Sequence, residues 1–381
     1  MVQVPLRVLH FLLDHRPGGP HAYVRTLRAG LEDRVASKIV TTGTGPETDL
    51  ALLNLRHIWT PLYAVEVSLN VLWIVWKILY IDLPRSNLIF NVHGSANIAP
   101  IAAARVLGVP IVWHFHETLT SFRRLVKLGQ WLLNGHPHRL VSVSESGRTL
   151  LDLRGAALIP ASVDTEFWSR ERVSTEDRAR YAWDRTSSME ETQPLRILMV
   201  GNLNPLKGAD ILLDALAEVE TPWHLKIAGA ELDTHREYIS ALRRRAVEAT
   251  ANDHAKRVDF IGWQETRSVR SLMADCDVFV LPSRSEACPI ALLEAMSMGT
   301  PCIASRVGDT AAILSEGQLG TLFAPEDVGA LSSALRNLRE LSDETLRSRC
   351  SAARQRVIGD FSIQKIAAEM FSIYQSLVRA T

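Results

Sequence analysis

Short β-branched runs, each followed by a turn and then a longer helical pattern, recur along the whole sequence, which is the signature of βα units building a parallel sheet. The first half reads as a strand over Leu6 to Leu13, a turn at Arg16, Pro17, Gly18, Gly19 and Pro20, and a helix over His21 to Leu31. Further strands are expected at Leu88 to Val92, Ile111 to Phe115 and Leu140 to Val143, and Ile159-Pro160 closes this half. A second series starts at Leu195 to Val200 and continues at Leu225 to Ala228, Val258 to Ile261, Val278 to Leu281 and Pro301 to Ala304. Two series of this kind suit the length, because 381 residues exceed the roughly 250–300 at which single cores stop growing.

The expected division places one α/β domain at 1–165, a charged connection poor in long apolar runs at 166–193, and a second α/β domain at 194–358. In the closing segment, 359–381, apolar residues at Ile366, Met370, Ile373, Tyr374 and Leu377 predict a helix with one buried face, packing back on the first domain. Doubly wound sheets hold ligands beyond the carboxyl ends of their strands, so the residues of interest should lie in strand-to-helix loops facing a central cleft.

Composition removes several function classes. Forty-two basic residues balance 42 acidic ones, leaving no overall field to collect nucleic acid. Cys276, Cys288, Cys302 and Cys350 have no CxxC spacing, which argues against a zinc site or a disulfide framework and fits a reducing cytoplasm. The first residues lack the pattern of an export signal. The most membrane-like stretch runs from Leu62 to Ile81. Glu66 and Asn70 interrupt it and argue against a spanning helix, whereas Trp73, Trp76, Lys77 and Arg85 suit a peripheral bilayer contact; a buried core helix is the plainer expectation.

Two loops of the second half carry candidate chemistry. Gly201-Asn202-Leu203-Asn204-Pro205-Leu206-Lys207-Gly208 follows a strand and precedes the helix Ala209 to Val219. A backbone that approaches closely at Gly201, helix-terminal amides and the charge of Lys207 together suit a diphosphate, although a tight turn with a surface lysine has the same letters. The second loop runs through Glu286-Ala287-Cys288-Pro289-Ile290 into a helix that starts at Pro289, carries Glu294 and ends at Gly299. Glu286 thus belongs to the loop and Glu294 lies more than a turn into the helix, so they should touch different parts of a ligand, sugar hydroxyls and ribose hydroxyls respectively. Taken singly, each is equally readable as an ordinary helix-associated carboxylate.

The Glu-x7-Glu spacing of Glu286 and Glu294, the run Glu294-Ala295-Met296 to Gly299-Thr300-Pro301, and the loop Gly201 to Gly208 together resemble the retaining glycosyltransferases of family 4, the glycosyl transferases group 1. The resemblance extends over nearly the whole chain and is most specific from Leu195 to Pro325. It implies the GT-B architecture, two Rossmann-like doubly wound domains, with a UDP- or GDP-sugar donor, a glycan, lipid-linked or small-molecule acceptor, and no metal or other cofactor. By that resemblance Lys207 binds the donor diphosphate, Glu294 the ribose and Glu286 the transferred sugar, with Gly201, Asn202, Ala287, Cys288, Pro289 and Ile290 around them. Gly18-Gly19 resemble the family's first-loop glycines, and His116 the histidine facing the sugar, with His93 and His114 as alternatives. Ser144-Glu145 and Val163-Asp164 resemble lesser landmarks.

The sequence also departs from the pattern. Asn202 stands where many members carry an arginine, leaving Arg284 or Arg306 to supply the cation. Ala287-Cys288-Pro289 replaces a glycine-rich stretch, and proline has no N–H to offer a sugar. The Gly-Gly-x-x-Glu element appears as Gly308-Asp309-Thr310-Ala311-Ala312. Two other functions fit the same letters: a nucleotide-sugar epimerase on this fold, and a non-catalytic partner subunit that binds nucleotide sugar.

Overall fold

The computed structural model of the chain describes residues 6–13, 18–45, 47–53, 62–80, 87–117, 120–177, 193–251 and 253–379. Arg16 and Pro17 of the expected turn, Arg85, and 178–192 of the expected connection lie outside them. Two compact units emerge, the first comprising Met1–Ser162 with Ile363–Thr381 and the second Val163–Ser362.

The sheet of unit 1 is parallel and seven-stranded: β1 (Leu6–Leu12), β2 (Val35–Thr42), β3 (Leu50–Leu52), β4 (Leu88–His93), β5 (Ile111–Phe115), β6 (His138–Ser142) and β7 (Ala157–Leu158), in the order β3-β2-β1-β4-β5-β6-β7. Strand order reverses between β1 and β4, which is where such sheets open a crevice at their carboxyl edge. Every residue of β4 and β5 is buried, as expected for central strands covered by helices on both faces. The first helix, α1 (Gly19–Leu31), begins two residues before the expected His21, with Pro20 in its opening turn where a missing N–H costs nothing. The C-terminal helix Ile363–Arg379 packs on α1 so closely that a Cβ on Gly30 would meet Ala367 and Ile363 at 2.8 Å. Its buried Tyr374 hydroxyl accepts a hydrogen bond from Asn91 Nδ2 of β4 at 2.7 Å.

The second helix, α2 (Leu62–Tyr80), differs from both expectations for this stretch. Glu66 and Asn70 do not interrupt it: both are buried, and the Asn70 amide bonds the Leu53 N–H and carbonyl at 2.9 and 3.1 Å. Nor is it a core helix. Val65, Leu69, Leu72, Trp76 and Leu79 recur at helical spacing on the face turned to solvent, and Leu72 is 66% exposed. The helix is therefore apolar on its outer face as well as on the inner one, where Ile74 and Ile78 join the core of unit 1.

Unit 2 holds a six-stranded parallel sheet of β8 (Leu195–Val200), β9 (Trp223–Ala228), β10 (Lys256–Gly262), β11 (Val278–Leu281), β12 (Cys302–Ser305) and β13 (Thr321–Phe323), in the order β10-β9-β8-β11-β12-β13. This repeats the plan of unit 1, with the reversal between β8 and β11. The core around Ile197, Trp223, Leu225 and Val280 fixes those two strands, and with them the loops that leave their carboxyl ends. None of the four cysteines is in a disulfide.

Candidate active site

In unit 2 the two loops singled out by sequence leave neighbouring strands on either side of the reversal and meet. Lys207 closes a short 3-10 turn, Pro205–Lys207, after β8; Glu286 lies in the loop after β11. Lys207 Nζ donates to Glu286 Oε1 at 2.7 Å, and Ser283 Oγ donates to the same oxygen at 2.7 Å. The Glu286 carboxylate is nearly buried, whereas Lys207 keeps part of its length in solvent. Gly208, in the left-handed region at φ +68, turns the chain directly into helix α6 (Ala209–Ala217), so the amide-rich helix start follows Lys207 within two residues. Ser283 was not read from sequence, although its i, i+3 spacing to Glu286 is the available signal.

Backbone approaches set the shape of these loops. A Cβ on Gly208 would fall 2.0 Å from the Pro282 carbonyl oxygen, and one on Gly308 2.1 Å from that of Glu286. The altered element around Gly308 thus still braces the Glu286 loop, with Asp309 N–H donating to the Ala287 carbonyl at 3.1 Å. At Gly201 the chain lies against Gly229, where a Cβ would sit 1.8 Å from the Gly201 oxygen. Asn202 Oδ1 accepts from Ala230 N–H at 3.3 Å, so this side chain ties two loops together where a family arginine would have supplied charge. Pro289 precedes helix α7 (Ile290–Ser297), and its carbonyl accepts from Leu292 N–H at 3.1 Å. Cys288 and Glu294 are both half-buried, and Glu294 sits in the second turn of α7 rather than beside Glu286.

Both proposed substitute cations are already paired with carboxylates, as Lys207 is. Arg284 forks onto Asp210 at 2.8 and 2.7 Å, and also pairs with Glu326 and the Pro205 carbonyl. Arg306 pairs with Glu316 at 2.6 Å. Burial pushes the Asp210 carboxyl up, but its bonds to Arg284 and Tyr238 outweigh this and leave it below its ordinary value. Lys207 is the cation that faces Glu286.

In unit 1, Gly18 and Gly19 are exposed at the start of α1, and a Cβ on Gly19 would meet nothing. The histidines are more organised than sequence suggested. Parallel pairing sets His93 opposite His114, and the rings of His10, His93, His114 and His116 stack with centroids 4.8–5.4 Å apart. His10 Nδ1 lies 3.2 Å from His93 Nε2, and His93 Nδ1 lies 2.9 Å from His116 Nε2. Burial holds His116 down to about 3, and burial with the Arg28 charge does the same to His10. His93 and His114 are pushed well below the usual range by burial and then by the neighbouring imidazoles. Glu117, raised by burial, accepts from Ser95 N–H at 3.0 Å, Ser95 Oγ at 3.1 Å and His116 N–H at 3.2 Å, which fixes the turn carrying His116. His10, Ser95 and Glu117 had no role in the sequence reading; only the β1-β4-β5 order brings them to His116.

The family described as "Glycosyl transferases group 1" matches residues 194–340, the stretch that contains both loops. The match covers less than half of the chain and includes the segment that carries Lys207, Glu286 and Glu294. The group 1 segment sits within a fold shared by solved structures over nearly the full chain. The Anabaena protein Alr3699/HepE, crystallised with UDP and glucose, superposes with a TM-score of 0.78 at 18% identity, covering 97% of this chain and 100% of that one. A glycosyltransferase from Rickettsia africae superposes at 0.80 with 16% identity, covering 99% and 100%. The fold is therefore GT-B. Among sequence relatives, the glycogen synthase of Mycobacterium tuberculosis is 26% identical over 294 residues, 73% of this chain and 66% of that protein. The lipopolysaccharide core biosynthesis mannosyltransferase LpsB of Rhizobium meliloti is 28% identical over 186 residues, 47% of this chain and 51% of its own. The match thus spans just under two thirds of the mycobacterial relative's length.

Proposed function

We propose that the chain is a glycosyltransferase that moves a sugar from a UDP- or GDP-linked donor to a hydroxyl of a glycan, lipid-linked or small-molecule acceptor in polysaccharide or glycoconjugate biosynthesis. Retention of configuration and a metal-independent mechanism belong to the same reading. The observation that carries it is the meeting of Lys207 and Glu286 across the β8/β11 reversal, beside the start of α6. Alr3699/HepE, of the same fold, was crystallised with UDP and with UDP-glucose, which supports a nucleotide-sugar donor here.

In this mechanism the donor diphosphate takes Lys207 Nζ from Glu286 and lies against the α6 amides, groups already oriented toward the negative charge that grows as the leaving group departs. Gly201, Asn202 and the Ala287 to Ile290 backbone shape the pocket, Glu286 contacts the sugar, and Glu294 receives the ribose hydroxyls. In the same reading Gly18, Gly19 and His116 keep the roles that the family resemblance gives them. The bond from anomeric carbon to phosphate oxygen breaks, the acceptor oxygen bonds to the same face, and the acceptor proton passes to the departing phosphate. Lys207→Ala is expected to weaken donor binding about 100-fold, and Glu294→Ala about 10-fold or more, each with the fold intact by circular dichroism. Calorimetric titration across a panel of UDP- and GDP-sugars is the check. Unchanged affinity in both variants sinks the site assignment, and turnover of donor without any acceptor favours an epimerase.

The solvent-facing apolar stripe of α2 supports a second part of the reading, a cytoplasmic protein peripheral at a membrane. Lys77 lies 5.4 and 5.5 Å from the Trp73 and Trp76 rings, next to the exposed apolar stripe, the pairing of cation and amphipathic aromatic that suits a headgroup boundary. In flotation with anionic vesicles the chain is expected to rise with the lipid, and Leu72→Asp with Trp76→Asp to remain at the bottom. A chain that never floats removes this contact.

A further inference from the structure

The stacked imidazoles of unit 1 form a donor set of which the proposed transfer uses only His116. One nitrogen from each of His93, His114 and His116 lies within 4.8 Å of the others. Both ring nitrogens of His114 are buried with no hydrogen-bond partner, an arrangement that folded proteins seldom keep without a function or a ligand.

We propose that His93, His114 and His116 form a binding site for a divalent transition cation that favours imidazole nitrogen, of which Zn²⁺ is the representative. Tetrahedral Zn²⁺ with bonds of about 2.0–2.1 Å holds its nitrogens roughly 3.3 Å apart. The His93 and His116 nitrogens, 2.9 Å apart, need to open by only a few tenths of an ångström, while His114 swings one nitrogen inward. Ligating histidines usually donate their second ring N–H to an outer partner. His93 is built for this, with Nδ1 toward His116 and Nε2 toward His10 Nδ1 at 3.2 Å. The ion takes the place of the proton between His93 and His116, which moves to the outer nitrogen of its own ring, so the rings stay neutral. Glu117, which accepts from the His116 N–H, fixes the backbone of one ligand.

The site rests on unit 1 alone. It touches the transfer mechanism only in that a bound ion takes His116 away from a sugar and so inhibits.

The test is titration of the untagged, chelator-stripped full chain with Co²⁺ as spectroscopic probe, followed by competition with Zn²⁺. One equivalent of ion with the intense visible absorption of tetrahedral Co²⁺ is expected. It should weaken at least about 100-fold in His114→Phe and in His116→Ala, and about 10- to 100-fold in the outer-partner variant His10→Phe. His116→Ala alters the most exposed ring of the set and guards against a His114 variant that fails to fold. No uptake by the folded chain, or uptake unchanged in His116→Ala, overturns the proposal. Donor affinity at Lys207 is measured separately, so failure here leaves the donor site standing.

Discussion

Acidifying the metal-free protein from pH 7 to about pH 4.5 is expected to unfold unit 1. His10, His93, His114 and His116 are held neutral by burial, two of them down to about 3, against 6.5 for an exposed imidazole. Below pH 6.5 the unfolded chain therefore binds protons that the folded chain refuses. Stability is complete above 6.5 and is lost as pH falls toward 3, at about 1.4 kcal/mol per pH unit for each ring. Glu117 acts in the opposite sense, because its raised carboxyl keeps a proton in the folded state that the unfolded chain has released, and it offsets up to one ring. Among the other nearby groups, Arg28 reinforces the neutrality of His10, and His21 lies close enough to add to that of His93. The net slope of about 4 kcal/mol per pH unit consumes the stability of an ordinary domain, about 5–15 kcal/mol, within a few units. Urea midpoints followed by circular dichroism at stepped pH would show this, and His10→Leu should flatten the curve by one proton. A stability constant between pH 7 and 5 refutes the neutral cluster.

Replacing Gly208 by alanine is the second change expected to have a large effect. Two penalties coincide there. The backbone sits at φ +68, which costs a residue with a Cβ about 1–2 kcal/mol, and the added methyl would lie 2.0 Å from the Pro282 carbonyl oxygen, a backbone atom with no rotamer to yield. Gly262 separates these effects, since its φ is +67 and a Cβ there meets nothing within 4 Å. Gly262→Ala should cost only the conformational term. Gly208→Ala should cost at least about 3 kcal/mol, push the β8 and β11 loops apart and abolish the thermal shift given by donor. Equal denaturant midpoints for the two variants would show that the loops do not depend on this contact.

The βα plan was legible because buried parallel strands are continuous apolar runs, as in Leu88 to His93 and Ile111 to Phe115. Short or mixed strands were not: Leu50–Leu52 and Thr321–Phe323 span three residues each, and Val35–Thr42 carries Ser37 and Lys38 at half-exposed or exposed positions. Lys207 and Glu286 were found as loop residues, but their contact depends on β8 and β11 being neighbours, a matter of strand order that no local pattern encodes. The same limit concealed the commitment of Arg284 to Asp210 and the convergence of His10, His93 and His114. Glu66 and Asn70 misled for another reason. Polarity in α2 predicts exposure only when the partner is water, and Asn70 instead satisfies the backbone of Leu53.

The Lys207–Glu286 pair also bears on which anions the molecule ignores. A carboxylate already seated on the lysine, and fixed there by Ser283, competes at an effective concentration that a free ion in solution does not reach. Inorganic phosphate would win a single ammonium and lose the exchange. On the proposed function, a nucleotide sugar would offer simultaneous contacts, with sugar hydroxyls to occupy the displaced Glu286 and a ribose for Glu294, and so repay the swap. Such a pair would act as a filter against the abundant small phosphates of the cell, admitting the anion only when a whole donor arrives with it.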